Sequence, residues 1–240
     1  GRGSTAQPNR PISTLMNATV TSLVQARRSL TVLAYERLEE LIVTLHLKPG
    51  SVQSEAALVQ ETGFGRTPVR EALQKLEKEG LVEILPRKGV MITEIDIKRQ
   101  FLLLELSRVL LTLLARTSAR RATPEQRQQF GEIALDYDEI VQNEDLMTFM
   151  RVDSTLNKLL CDASHNEHTC RAMNLLLGLN RRVGYVHLKN HGDVPTWARI
   201  RAEFARAIEQ GNADAAVEIT GRRLDYIESS IKSAVHSGEI

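Results

Sequence analysis

The chain has 240 residues, 42% of them hydrophobic and 25% charged, with a formal net charge of +1. That balance is ordinary for a soluble globular protein, and the length allows one large domain or two modest ones. No apolar run approaches the roughly eighteen residues of a membrane span and no secretory signal is visible, so a cytoplasmic protein without a membrane partner is expected.

Aromatics make up only 4%, and the bias toward Leu, Ala, Glu, Arg and Gln favours helices over sheets. Residues 1–95 hold 12 Lys+Arg against 10 Asp+Glu, and residues 96–240 hold 19 against 20. Neither part is a basic tail, so any nucleic-acid affinity must come from local placement of charge. The opening Gly-Arg-Gly-Ser, at 1–4, reads as a vector-derived remnant within an N-terminal extension over 1–30. Pro8 and Pro11 break any early helix there, leaving room for a short one over Ile12–Arg28.

From Leu33 the helical period sharpens through Tyr35, Leu38, Leu41, Ile42 and Leu45, and Lys48-Pro49-Gly50 is the expected stop. Ser54 caps a second short helix that ends at Gly63. A third, GRTPVREALQKLEKEG over 65–80, carries an apolar stripe of Val69, Ala72, Leu73 and Leu76. Its other face holds Thr67, Arg70, Glu71, Gln74 and Lys78. Thr67 is expected to cap this helix, with Pro68 at the first helical position. Two β-rich runs then surround Pro86-Arg87-Lys88-Gly89, which predicts a hairpin with a basic tip.

Three short helices and a basic hairpin within 31–93 make a winged helix-turn-helix. In that arrangement the first turn of the third helix meets base edges and phosphates in the major groove. Beyond Thr93 nothing β-like persists. Helices are predicted over 97–121, 124–143, 145–163, 167–190, 195–210 and 213–234, with Thr123-Pro124 starting one and Asn212 capping the last. The fold class is therefore mainly α: a winged helix-turn-helix with a small β-hairpin wing, then an all-α bundle over 97–236.

Four charged residues interrupt apolar stripes of that bundle. Arg108 falls among Phe101, Leu104, Leu111 and Ala115; Asp153 among Phe149, Leu156 and Leu160, with Asn157 a turn on; Arg201 among Trp197, Phe204 and Ile208; Arg223 among Ala216, Ile219 and Ile227. Core-facing charges are costly unless they meet each other or a ligand, so one shared polar cavity is expected, with Tyr185 a further candidate for its wall. The cavity holds either a small anion, a carboxylate or phosphate forked by arginine, or a structural ion pair of Asp153 with Arg201 or Arg223. His187 and His191, four apart, lie where a helix ends, and His165 and His168 fall in a connecting loop. Cys161 and Cys170 lack metal-type spacing and read as reduced structural thiols.

The stretch YERLEELI…LKPGSVQSEAALVQETGFGRTPVREALQKLEKEGLVEILPRKGVMIT resembles the DNA-binding domain of the GntR family of bacterial transcription regulators nearly end to end. RTPVREAL-x-x-L-x-x-EGLV is the specific part of that signature. The helical remainder resembles the ligand-binding domain of the FadR/FCD subgroup. This resemblance implies a homodimer reading a palindromic operator in double-stranded DNA. It matches Arg66, Thr67 and Arg70 to recognition-helix positions and Gly89 to the wing glycine; Gln74, Arg87 and Lys88 complete the expected DNA-binding set. Two positions depart from the family: Ala56 stands where a basic residue often follows Glu55, and Gly65 where a hydroxyl usually precedes the arginine.

Many bundles of the subgroup hold a divalent metal through one Asp and three His. Asp153 aligns with the Asp, whereas Asn157, Arg201 and Arg223 stand where the imidazoles would be. Guanidinium cannot ligate a metal. The expectation is therefore no metal and no cofactor, with an effector site of Arg108, Asp153, Asn157, Arg201, Arg223 and Tyr185 taking a small anionic metabolite. The alternatives are a metal sensor of the same family, or an enzyme using the buried Asp and Arg residues; against the enzyme stand the DNA-reading helix and the lack of a tuned base. A repressor is the expected regulator.

Overall fold

The computed structural model describes residues 29–237, apart from the side chains of His191 and residues 234–237. The helix expected over Ile12–Arg28 lies outside the described residues. Helix α1 runs over 29–43, β1 over Val52–Gln53, α2 over Glu55–Thr62 and α3 over Arg66–Lys78. Strands β2 (Val82–Leu85) and β3 (Gly89–Ile92) form the hairpin, and β1 adds to β3 to give an antiparallel sheet of order β1-β3-β2. Six helices follow: α4 (Ile97–Arg121), α5 (Pro124–Asn143), α6 (Leu146–Ser164), α7 (Glu167–His191), α8 (Val194–Glu209) and α9 (Ala213–Ser237).

Two details differ from the sequence expectation. Helix α1 stops before Lys48-Pro49-Gly50, because Leu45 turns left-handed (φ 58°) and the Leu47 N–H reaches back to the Leu41 carbonyl at 2.9 Å. The turn places Val43 and Leu45 against the bundle core while Leu38, Leu41 and Ile42 stay in the winged-helix core. The second concerns Thr67, which is not the cap of α3. The cap is Gly65, which offers no side-chain hydrogen bond, so Thr67 and Pro68 lie inside the first turn.

Apart from α8, whose Asp193 makes no side-chain cap, the helix starts from α4 onward, and that of α2, follow the local chemistry of side-chain oxygens accepting from orphan N–H groups. Ser54, Asp96, Asp145, Asn166 and Asn212 cap α2, α4, α6, α7 and α9. Thr123 and Gln126 form a reciprocal capping box at α5. In the bundle α5 lies along α8, and α4 along α9 and α6, around a core that includes Phe130, Tyr137, Leu156, Trp197 and Phe204.

Glycine is required at two close approaches. A Cβ on Gly89 (φ 117°) would sit 2.4 Å from the Gln53 carbonyl oxygen, so only glycine lets β1 pair beside the wing. One on Gly178 in α7 would lie 2.5 Å from Leu81 Cδ1, where the bundle meets the winged-helix unit.

Candidate functional site

Two regions hold the functional side chains predicted from sequence. The first is the outer face of α3 and the wing. Val69, Ala72, Leu73 and Leu76 are buried and fix the helix to the domain, which leaves Arg66, Thr67, Arg70 and Gln74 exposed at successive turns of the opposite face. Arg87 and Lys88 are exposed at the wing tip, with Arg87 left-handed (φ 63°) and the Lys88 N–H closing the turn onto the Leu85 carbonyl at 3.0 Å. Arg70 Nε donates to Glu55 Oε2 at 2.7 Å, which orients the guanidinium across the start of α2. Glu55 was not among the predicted site residues. Its place at the N-terminus of α2, capped by Ser54, is what puts it within reach.

The second region is a cavity of about 40 Å³ inside the bundle, lined by apolar residues of α4, α6, α7, α8 and α9 together with Gln100, Asp153, Asn157, Asn180, Arg181 and Arg223. Arg201 Nη2 bonds Asp153 Oδ1 at 2.5 Å and donates to Asn157 Oδ1 at 3.1 Å. Asn157 Nδ2 donates to Asp153 Oδ2 at 3.0 Å, and the Tyr137 hydroxyl donates to Asp153 Oδ1 at 3.3 Å. Burial alone would raise the Asp153 pKa, but Arg201 foremost, then Arg223 and Arg181, hold it below the usual carboxylate value. Arg201 Nε has no hydrogen-bond partner among the described residues.

Arg223 differs from Arg201. It is partly buried and, among the described residues, forms neither a hydrogen bond nor an ion pair. Burial first, and the charge of Arg201 second, push its pKa down to about 10, so it remains cationic at neutral pH. Behind the cavity wall lies the Asp153–Arg201 pair, and on the wall Arg223, which feels the Asp153 charge but has no ion-pair or hydrogen-bond partner among the described residues. Of the two sequence alternatives, the ion pair of Asp153 is present, and it is made with Arg201 rather than with Arg223.

Arg108 and Tyr185 are not brought to this cavity. Arg108 is more than a third exposed and pairs with Asp225 at 2.8 Å and Glu228 at 3.3 Å on α9. It sits at the edge of its apolar stripe, where a neighbouring helix supplies carboxylates. Tyr185 is buried in the bundle core but does not line the cavity; Lys189 lies 5.9 Å from its ring centroid.

The comparisons with known proteins follow the same division of the chain. The profile of "Bacterial regulatory proteins, gntR family" matches residues 30–92, and the FCD domain profile matches residues 102–226. The chain belongs to the gntR family. It is a bacterial GntR-type transcription regulator with an FCD domain, in the FadR/FCD subgroup.

Among the relatives of this GntR regulator, YdhC of Bacillus subtilis is 25% identical over 85% of this chain and 92% of its own. The transcriptional repressor RspR of Escherichia coli is 22% identical over 82% of this chain and 87% of its own. A regulator in an unstable DNA locus of Streptomyces ambofaciens is 42% identical, but only over 26% of either chain. E. coli McbR/YncC superposes with a TM-score of 0.73 at 14% identity, covering 86% of this chain and 98% of that one, which establishes the shared fold.

The subgroup's metal raises the question of fit. Asp153, Asn157 and Arg223 on the cavity wall, with Arg201 behind Asp153 and not itself lining the cavity, offer one carboxylate and two permanent cations, which is not a donor set for a divalent ion. Among the described residues, no cluster of three or more His, Cys, Asp or Glu assembles to hold a metal.

Two adjacent buried arginines on α7 were missed by the sequence reading. Arg181 Nη1 contacts both carboxylate oxygens of Glu39 on α1, and its Nη2 donates to the Met150 carbonyl at 2.9 Å. Arg182 Nη1 donates to the Thr93 carbonyl at 2.8 Å, gripping the segment between the wing and α4. The signal was available in LNRRVGY, a pair of arginines inside an apolar helix, but the acceptors that tie them to the winged-helix side, Glu39 and Thr93, lie 142 and 89 residues away in sequence.

Proposed function

We propose that this GntR regulator binds an inverted-repeat operator as a homodimer and represses transcription from it, with Arg66, Thr67, Arg70 and Gln74 in the major groove and the Arg87-Lys88-Gly89 wing against the backbone. A small carboxylate or phosphate at Arg223 sets the affinity of that binding. The observation that carries the effector part is Arg223, on the wall of a bundle cavity with no ion-pair or hydrogen-bond partner among the described residues, beside an Asp153 already paired with Arg201. A partly buried cation with no direct ion-pair partner is costly, and an arriving anion reduces that penalty. Metal analysis of the purified protein is expected to find no stoichiometric divalent ion; one ion per chain would overturn the direct capture of an anion by arginine.

The homodimer reading is supported by an apolar stripe on α4. Leu102, Leu106, Val109 and Leu113 are exposed among the described residues, with Leu102 at 67% and Val109 at 65%. Their spacing of four, three and four residues is the same read from either end. An antiparallel second copy therefore sets Leu102 against Leu113 and Leu106 against Val109, as an isologous contact demands.

One selection experiment tests both parts of the DNA-binding proposal. Fragments bound from a random duplex library are expected to converge on an inverted repeat with the wild-type chain. With Leu106→Glu/Val109→Glu they should converge only on a half-site, at an affinity lower by about tenfold or more. A variant that remains a dimer in sedimentation and still selects the full repeat would place the dimer seam elsewhere.

A further inference from the structure

Arg181 and Arg223 line the cavity and Arg201 lies behind Asp153; of the three, only Arg223 makes no ion pair among the described residues. Arg201 is balanced by Asp153, and Arg181 by Glu39 from outside the bundle. Arg223 feels the Asp153 charge but forms no ion pair or hydrogen bond among the described residues. Arg181 and Leu177, one turn apart on α7, line both this cavity and a separate cleft of about 360 Å³ that faces α1. They are the wall between effector site and DNA-binding unit.

We propose that Arg181 is a further ligand-responsive residue of the anion cavity, shared between Glu39 of the DNA-binding unit and a carboxylate bound beside Arg223. The proposal rests on the anion-site reading above. Three features of the geometry support it. First, the Arg181 Nε is buried and has no hydrogen-bond partner, so the fork of this guanidinium is only half used. Second, the cavity of about 40 Å³ holds little more than a water or two, so an organic anion enters only by displacing part of the wall. Third, Glu39 lies on α1, whose Leu38, Leu41 and Ile42 share a core with Val69, Leu73 and Leu76 of the DNA-facing helix.

The other ion pairs between α1 and the bundle, both to α6, are weaker. Arg151 with Glu40 at 3.2 Å and Lys158 with Glu36 at 2.5 Å are solvent-exposed pairs, which contribute little and are screened by salt. Glu39–Arg181 is the buried member of the set, with both side chains under a tenth exposed. A second anion drawn to Arg181 competes with Glu39 for the same charge, and the competition is reciprocal: whatever weakens the Glu39 contact strengthens the anion's. The cavity wall thereby carries the effector's presence to α1.

The test uses Trp197, the single tryptophan of the chain, which lines the cavity. Its fluorescence is followed while full-length protein is titrated with straight-chain carboxylates from acetate to hexanoate, the matching amides serving as neutral controls. The carboxylates, not the amides, are expected to shift the emission, and Arg223→Met should abolish the response. Glu39→Gln should tighten binding by about fivefold or more, because Arg181 is released to the cavity. If Arg223→Met abolishes the response while Glu39→Gln leaves the Kd unchanged or weaker, the anion site stands and the role of Arg181 falls. If the wild type does not respond, or Arg223→Met still does, the anion-site reading itself fails and this proposal with it. Hydrogen exchange on the wild-type protein gives a check that needs no variant. Saturating carboxylate should speed exchange of the α1 amides around Glu39 at least severalfold, and unchanged protection would overturn the proposal.

Discussion

Arg70→Ala is expected to lower operator affinity by about tenfold to a hundredfold, the ~1–3 kcal/mol that one good arginine contact to a base contributes. The fold should be unaffected, because the side chain is exposed and its one intramolecular partner, Glu55, is itself at the surface. Glu55→Ala should give a smaller loss, since it removes only the hydrogen bond that holds the Arg70 guanidinium over the start of α2. Comparing thermal unfolding with fluorescence-anisotropy titrations on a selected operator separates these effects. Operator binding by Arg70→Ala equal to wild type would mean that α3 does not read the DNA with this face. The exposed first turn carries a second consequence. Gly65 gives α3 no side-chain cap, so its first N–H groups have no side-chain oxygen bonded to them and are suited to a backbone phosphate.

The helices were legible because each begins and ends on local chemistry. Thr123 with Pro124 and Gln126 writes the start of α5, and Asn212 the start of α9, in residues that touch only their own first turn. The end of α1 was not legible: the apolar period runs on through Leu45, and only the contact of Leu45 with the bundle core explains its left-handed turn. Strand β1 is two residues long and exists by pairing with β3, whose wing glycine is the only residue that admits it. At the cavity, Asp153, Asn157, Arg201 and Arg223 were found because charges on apolar stripes need an explanation. The same rule misplaced Arg108, whose carboxylate partners on α9 are more than a hundred residues away. It also overlooked Arg181, whose partner Glu39 is 142 residues away on a helix of the other unit. Periodicity reports which face of a helix is buried; it does not report what is buried against it.

The two cavity arginines are expected to respond oppositely to replacement. Arg201→Ala leaves Asp153 buried with neither its ion pair nor Arg201's hydrogen bond to Asn157, a type of change that costs about 3–5 kcal/mol. Arg223→Met removes a cation that no described side chain pairs with directly and fills the space with an apolar chain of similar reach. In anion-poor buffer it should therefore raise stability, by about 1 kcal/mol or more. Urea unfolding midpoints of the two variants decide the matter, and a loss for Arg223→Met comparable to that for Arg201→Ala would mean that Arg223 has a structural counter-ion. The opposite signs follow from what each residue does. Arg201 completes a network that the folded state needs, whereas Arg223 holds a charge in reserve at the expense of stability. A regulator can tolerate that expense if the charge is what its effector comes to neutralise, because the free energy recovered on binding is then available to act on Arg181 and α1.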